Sequence, residues 1–219
     1  MARGLILLGG EFPPPEWVKS LYQPSDAIIA ADRGFLLAKR CDLPVQVLLG
    51  DFDSLSPQEL ASVPAGAAVR RFPVDKDFSD GELALSEAHS LGLQEVIFLG
   101  ALGGRLDHCL FNVIALLQGA DELGIKASLA HPGTRVFQAA AGEALDFSAY
   151  RGWMLSLITL DATATVDLEG TLYSLQRAQI KRSSTLCLSN RVDSSPAGLR
   201  VHSGRVLAIL SSAPQAPIR

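Results

Sequence analysis

Cysteine is scarce and scattered. Cys41, Cys109 and Cys187 lie far apart in a chain of 219 residues and form no C-x-x-C pair. That spacing gives neither a disulfide framework nor a common zinc site, and a reducing cytoplasm is expected. No apolar run approaches the roughly 18 residues that a membrane span needs. The opening stretch, MARGLILLGG, has one Arg and an apolar run too short for a signal peptide; it reads as a first strand. Basic residues are in slight deficit, 19 against 23 acidic ones, for a formal net charge of −4. Nucleic-acid binders usually carry a basic face, and an acidic protein that handles phosphates needs metal ions. Three motifs are also missing. There is no G-x-x-x-x-G-K-[ST] of the Walker type and no strict G-x-G-x-x-G after the first strand. There is also no G-x-S-x-G nucleophile elbow. Internal repeats and low-complexity segments are absent.

What is present is an ordinary globular composition, 48% apolar and 19% charged. Strand-like and helix-like stretches alternate through the first part. RGLILLGG, DAIIAADRG, VQVLLGDFDS, AVRRFPV and EVIFLGALGG read as strands. Between them fall the helical patterns PPPEWVKSLYQ, FLLAKRC, SPQELASV and SDGELALSEAHSLG, with RLDHCLFNVIALLQGADELG after the last strand. Ser56 and Glu59, and again Ser79 and Glu82, have the spacing of a capping box. This alternation predicts a parallel sheet covered on both faces. After about residue 125 the segments become short and alternate polar with apolar, among them WMLSLITL, ATVDLEG, TLYSLQ, TLCLSNRV and RVLAILS. They predict an antiparallel sandwich or barrel, and the first one or two complete the parallel sheet. The tail SSAPQAPIR is expected to fray.

Ligands of parallel α/β sheets bind beyond the carboxyl ends of the strands. Asp32 follows AIIAA, and Asp51 and Asp53 follow VQVLL. Asp75, Asp77 and Asp80 follow VRRFPV, and Gly103, Gly104, Arg105, Asp107 and His108 follow EVIFLGAL. So many carboxylates on one edge repel unless a cation offsets them, and hard oxygen donors at this density suit Mg²⁺. Each cluster also has a plainer reading. GDFDS is a natural Asx-turn, Ser79 and Asp80 suit a helix cap, and GALGGR suits a tight strand-to-helix turn. In the last helical pattern, Arg105, His108 and Asn112 share one face. Leu106, Leu110, Val113 and Leu117 are expected to form the buried stripe opposite.

GDFDSL, DKDFSDGELAL and GALGGRLDHCLFNV, in this order and spacing, resemble the thiamine pyrophosphokinase family. Its motifs are G-D-x-D-S, then D-x-[DT]-x-[ST]-D, then G-x-x-G-G-R-x-D-H-x-x-x-N. The match spans residues 50 to 112, and AADRG at 30 to 34 extends it. GTLYSL and LSN in the last third resemble two weaker family segments. Arg33, Cys187 and Arg191 depart from the family pattern. The resemblance implies a Rossmann-like parallel α/β domain, residues 1–135, followed by an antiparallel β-sandwich, residues 136–219. It implies transfer of a pyrophosphoryl group from ATP to thiamine, with release of AMP. Asp51, Asp53 and Asp80 then hold Mg²⁺, and one of them or Asp107 accepts the hydroxyl proton. Lys76, Arg105 and the Gly103–Gly104 backbone contact phosphates. His108 and Asn112 hold ATP or the metal shell, and Asp32, Asp77 and Ser79 complete the nucleotide set. Ser189 and Asn190 take the pyrimidine of thiamine, and a homodimer is expected. The residues leave other readings open: a hydroxymethyl-pterin pyrophosphokinase, a glycosyltransferase using D-x-D, or a non-catalytic binder of thiamine or nucleotide.

Overall fold

The computed structural model describes residues 1–75 and 77–212, so Lys76 and most of the tail expected to fray lie outside the described residues. The chain divides into two compact units, Met1–Pro132 and Gly133–Arg219.

The first unit runs β1 (Arg3–Leu7), α1 (Pro15–Leu21), β2 (Ala27–Ala31), α2 (Gly34–Arg40), β3 (Val47–Gly50) and α3 (Pro57–Ala61). It continues with β4 (Ala68–Arg71), α4 (Asp80–Ser90), β5 (Glu95–Leu99), α5 (Leu106–Phe111), a π-helical turn (Asn112–Leu116), α6 (Leu117–Glu122) and β6 (Lys126–His131). The strands stand in the order β6-β5-β1-β2-β3-β4, and every neighbouring pair is parallel. Consecutive residues of β1, β2 and β3 are buried. Because successive side chains point to opposite faces, both faces of the sheet centre are covered. The edge strand β4 is mostly exposed and ends in Arg70 and Arg71, charges that protect a free edge from pairing. Both expected capping boxes are present, Ser56 with Glu59 at α3 and Ser79 with Glu82 at α4. At the amino ends of the central strands Arg3 forks onto buried Asp26 at 2.7 and 2.8 Å and ties β1 to the start of β2.

The last helical segment differs from the expected regular helix. Leu106 and Leu110 are 72% and 55% exposed, while Leu116, Leu117 and Ala120 are buried. The π-turn between α5 and α6 is the physical reason. It takes in one extra residue per turn, which rotates the apolar phase, so the stripe expected along 106, 110, 113 and 117 reaches the core only at its far end.

The second unit contains only strands and one short 3₁₀ turn among its described residues. They are β7 (Thr134–Ala140), β8 (Ala144–Asp146), β9 (Met154–Thr159), β10 (Thr163–Glu169), β11 (Leu175–Lys181), β12 (Asn190–Arg191), β13 (Gly198–Ser203) and β14 (Arg205–Ser211). β12-β9-β14-β7 are antiparallel neighbours, as are β11-β10-β13-β8. Alternate residues of both groups meet in one cluster that includes Leu155, Val166, Val201 and Ala208. TLCLSNRV is not the strand its alternation predicts. Only Asn190 and Arg191 join a ladder, because turns at Ser184 and Thr185 and a left-handed Ser189 (φ 60°) bend the chain. The alternation survives in burial, with Cys187 buried while Leu186 and Leu188 are exposed, and the Cys187 carbonyl still accepts the Leu157 N–H at 2.9 Å.

Candidate active site

The chain leaves β1, fills β2 to β4 on one side, then returns to place β5 on the other side of β1. Loops after β1 and β5 therefore depart in opposite directions, which opens the crevice where such sheets bind ligands. A cavity of about 780 Å³ lies in this unit, walled by the loops after β1, β2, β3 and β5 and by the first turn of α4. That volume is in the range of small-molecule and cofactor sites.

One end of the cavity is acidic. Asp32, Asp51 and Asp80 all line it. Asp32 sits just past β2 in the left-handed region, φ 44°, a conformation that Asp tolerates better than most residues. Its Oδ1 accepts the Phe52 N–H at 3.0 Å. Burial, then a hydrogen bond with the Asp80 carboxyl, push the Asp32 carboxyl up to about 7, and the Asp80 and Asp51 charges add to the rise. A hydrogen bond between two carboxyls requires that one of them keep its proton. Gly50 makes room for the pair: with φ 136°, a Cβ there would lie 2.0 Å from Asp32 Oδ1. The capping box fixes the start of α4, and thereby Asp80.

The other end is built from backbone. Gly9, Gly10, Gly103 and Gly104 line it, together with Glu11 and Asn112. Asn112 donates from Nδ2 to the Ala101 carbonyl at 2.8 Å, and Cys109 Sγ to the Gly103 carbonyl at 3.2 Å. Both bonds hold the loop after β5 against the helix that follows. Arg105 and His108 reach the cavity. The Arg105 guanidinium forks onto Asp107 at 2.6 and 3.2 Å and holds that exposed carboxyl down at about 2.

Of the residues expected from the sequence, Asp32, Asp51, Ser79, Asp80, Gly103, Gly104, Arg105, His108 and Asn112 meet in this cavity. Asp53, Asp77 and Asp107 do not line it, and Lys76 lies outside the described residues. The Asp53 N–H donates to Asp51 Oδ1 at 2.9 Å, so the plain Asx-turn is present while Asp51 still faces the cavity. Ser189, in the second unit, donates its N–H to Ser156 Oγ at 3.1 Å. Asn190 is 5% exposed. Its Oδ1 accepts from the Tyr173 and Arg191 N–H groups, and its Nδ2 donates to Tyr173 O and Thr171 Oγ1. All four bonds that an Asn amide can make are thus used inside the chain. Gly9, Gly10 and Glu11, the residues that follow the first strand, line the cavity without having been among those expected, as do Arg33 and Ser54. Gly-Gly-Glu at the end of the first strand was the available signal, and the strict G-x-G-x-x-G pattern passes over it.

Among the described residues, no group of three or more His, Cys, Asp or Glu side chains is gathered as a ready metal cage. The donor set nevertheless fits Mg²⁺. The oxygens are hard, and this ion commonly takes one or two carboxylates together with waters and substrate phosphates. The crowding that lifts Asp32 is what a cation would relieve.

A parallel α/β unit with a crevice at its strand ends belongs to the class of open α/β proteins that bind ligands beyond the carboxyl ends of the sheet. The comparisons are specific within that class. Residues 18–127 match the family model described as thiamin pyrophosphokinase, catalytic domain. The chain is 29% identical over 152 residues to a thiamine pyrophosphokinase from Bacillus subtilis (strain 168), spanning 68% of this chain and 70% of that protein. The crystal structure of thiamine pyrophosphokinase from Bacillus subtilis matches with a TM-score of 0.86 at 25% identity, over 96% of this chain and 99% of that one. Thiamin pyrophosphokinase from Candida albicans, at 14% identity, shares the fold with a TM-score of 0.81 over 96% of this chain and 89% of that one. The chain belongs to the thiamin pyrophosphokinase family.

Proposed function

We infer that the chain carries out its family's reaction, the transfer of a pyrophosphoryl group from ATP to the hydroxyl of thiamine, giving thiamine diphosphate and AMP. The cavity carries this reading: its acidic end, Asp32, Asp51 and Asp80, suits a metal-bound polyphosphate, and its glycine wall lets a ligand approach the backbone closely. Asp51 and Asp80, with Asp32 beside them, are the residues we assign to Mg²⁺. That ion, when bound, offsets charge on the phosphate oxygens. Arg105 and His108 at the rim are assigned to phosphates, and Asp107 holds the Arg105 guanidinium in place. Work of this kind is positioning and electrostatics. For the acceptor, we assign Asn190 to holding the Thr171–Tyr173 turn rather than to direct contact, and Ser189 keeps its expected place beside the pyrimidine.

The finer architecture is read as a Rossmann-like domain followed by a β-sandwich, on the strength of the strand order and the shared core of the second unit. A homodimer is part of the reading. Exposed Leu106, Leu110 and Ile114 in the first unit, and Tyr173, Leu186 and Leu188 in the second, support it, since apolar side chains gathered on a surface mark interaction sites. Three free thiols support a reducing cytoplasm, and among the described residues no helix is long and apolar enough to cross a membrane. The test is incubation with ATP, Mg²⁺ and thiamine. AMP and thiamine diphosphate in equal amounts are expected. AMP formed with a hydroxymethyl-pterin and not with thiamine, or no AMP with either, would overturn the reading.

A further inference from the structure

We propose that Glu11 is the nucleotide-selecting residue of the cavity, its carboxylate accepting hydrogen bonds from the vicinal hydroxyls of the ATP ribose; the proposal rests on the ATP-dependent reading above. The loop that carries it is fixed by backbone. Gly10 N–H donates to Gly100 O at 2.9 Å and Glu11 N–H to Leu102 O at 3.2 Å. The side chain folds over Gly103. A Cβ at Gly103 would lie 2.4 Å from both Glu11 Cβ and Glu11 Oε2, and Gly103 has φ 82°, so glycine is required there on both counts. Glu11 lines the cavity, yet among the described residues no donor or cation meets its carboxylate. The nearby cation Arg33 is instead stacked over Phe12, 5.7 Å from the ring centroid.

Glu11 is solvent-exposed at the cavity wall, and a carboxylate beside a polyphosphate site repels phosphates, so the part of the nucleotide suited to lie against it is the part that donates hydrogen bonds. Its position agrees. Glu11 follows β1 beside the β5 loop, whereas Asp51 follows β3, two strands away. At the usual strand spacing the two ends are about 10 Å apart. With the outer phosphates at the aspartates and the one nearest the sugar at Arg105 and His108, the nucleoside falls beside Glu11, at the switch point of the sheet. A carboxylate is acceptor-only and can take two donors at once. Two hydroxyls on adjacent carbons match that pattern, and the glycine wall admits the sugar.

The experiment measures equilibrium binding of ATP, 2′-deoxy-ATP, 3′-deoxy-ATP and inosine triphosphate with Mg²⁺, and AMP release with thiamine, for the wild type, Glu11→Gln and Glu11→Ala. In the wild type each deoxy nucleotide is expected to bind about tenfold more weakly than ATP, since a hydrogen bond to a charged group is lost. Glu11→Ala removes both bonds from ATP and the one remaining bond from each deoxy nucleotide, so ATP should weaken about a hundredfold and each deoxy nucleotide about tenfold, until all three bind alike, and Glu11→Gln should lie between. The KM for thiamine should stay put. The proposal fails if the wild type binds ATP and both deoxy nucleotides alike or if Glu11→Ala weakens all three equally. It also fails if discrimination is lost against inosine triphosphate instead, which would place the carboxylate on the base, or if the thiamine KM rises. Binding reports on Glu11 even if no AMP forms, so failure here is distinct from failure of the assigned reaction, which only the AMP assay reports. Comparing wild-type affinities needs no variant, so a variant that does not fold leaves the test standing.

Discussion

The Asp32 carboxyl hydrogen-bonds the Asp80 carboxyl and joins the end of β2 to the first turn of α4. Burial and this neighbour lift Asp32 from 3.8 to about 7. A raised carboxyl in the folded state means that the fold holds a proton the unfolded chain releases. The associated stability is fully present below the unfolded value and is lost as pH rises through about 7.

Asp32→Asn should therefore flatten part of the pH dependence of melting in metal-free protein. Between pH 4 and pH 8 the wild type should lose melting temperature relative to the variant, with most of the loss between about 4 and 7. Parallel melting curves for the two proteins across that window would show that the pair does not share a proton.

Gly50→Ala tests the same pair from the backbone side. The residue has φ 136°, and its new Cβ would meet Asp32 Oδ1 at 2.0 Å. Alanine must then strain the turn or push Asp32 aside. A stability loss of about 1–3 kcal/mol is expected, together with weaker Mg²⁺-dependent nucleotide binding. Unchanged binding and melting would mean that the turn relaxes freely.

Asp51 and Asp53 look equivalent in GDFDS, but only Asp51 lines the cavity. Asp51→Asn should cut AMP release by at least about a hundredfold, the effect of weakening an electrostatic contact to the reacting phosphates. Asp53→Asn should cut it by clearly less. The order is checked by kcat/KM for ATP at saturating Mg²⁺, and the reverse order would return Asp53 to the site.

What was legible in the sequence was local. Ser56 with Glu59 and Ser79 with Glu82 are capping boxes because each bond spans three residues. Buried runs such as AIIAA announce central parallel strands by themselves. What was hidden depends on partners distant in the chain or on a change of helical phase. The π-turn at Asn112–Leu116 leaves no mark in the apolar pattern, so the spacing points Leu106 and Leu110 to the core although they are exposed. Glu11 gains meaning only from Gly103, which lies against it in space. The alternation of TLCLSNRV predicts which side chains are buried, but not that its first part is a turn, closed by the Leu188 N–H to Thr185 O bond, with regular pairing confined to Asn190 and Arg191.

Asn190 is the sharpest case, because its resemblance-based role and its geometry give opposite measurements. Its amide joins β12 to the Thr171–Tyr173 turn through bonds of 2.7 to 3.3 Å, spanning 17 to 19 residues of sequence. Asn190→Ala would leave the Tyr173 N–H and C=O without this partner in a part-buried turn. A loss of about 1–2 kcal/mol is expected, or a melting temperature lower by roughly 2–8 °C. Tyr173, 65% exposed at the tip of this turn, would lose its anchor, so any effect on the thiamine KM should accompany the loss of stability. Asn190→Asp separates the roles further: it keeps the two acceptor bonds to Tyr173 N–H and Arg191 N–H while removing the two donors. An intermediate melting temperature is expected for it. A several-fold rise in thiamine KM with wild-type melting in either variant would restore Asn190 as a direct contact to the acceptor.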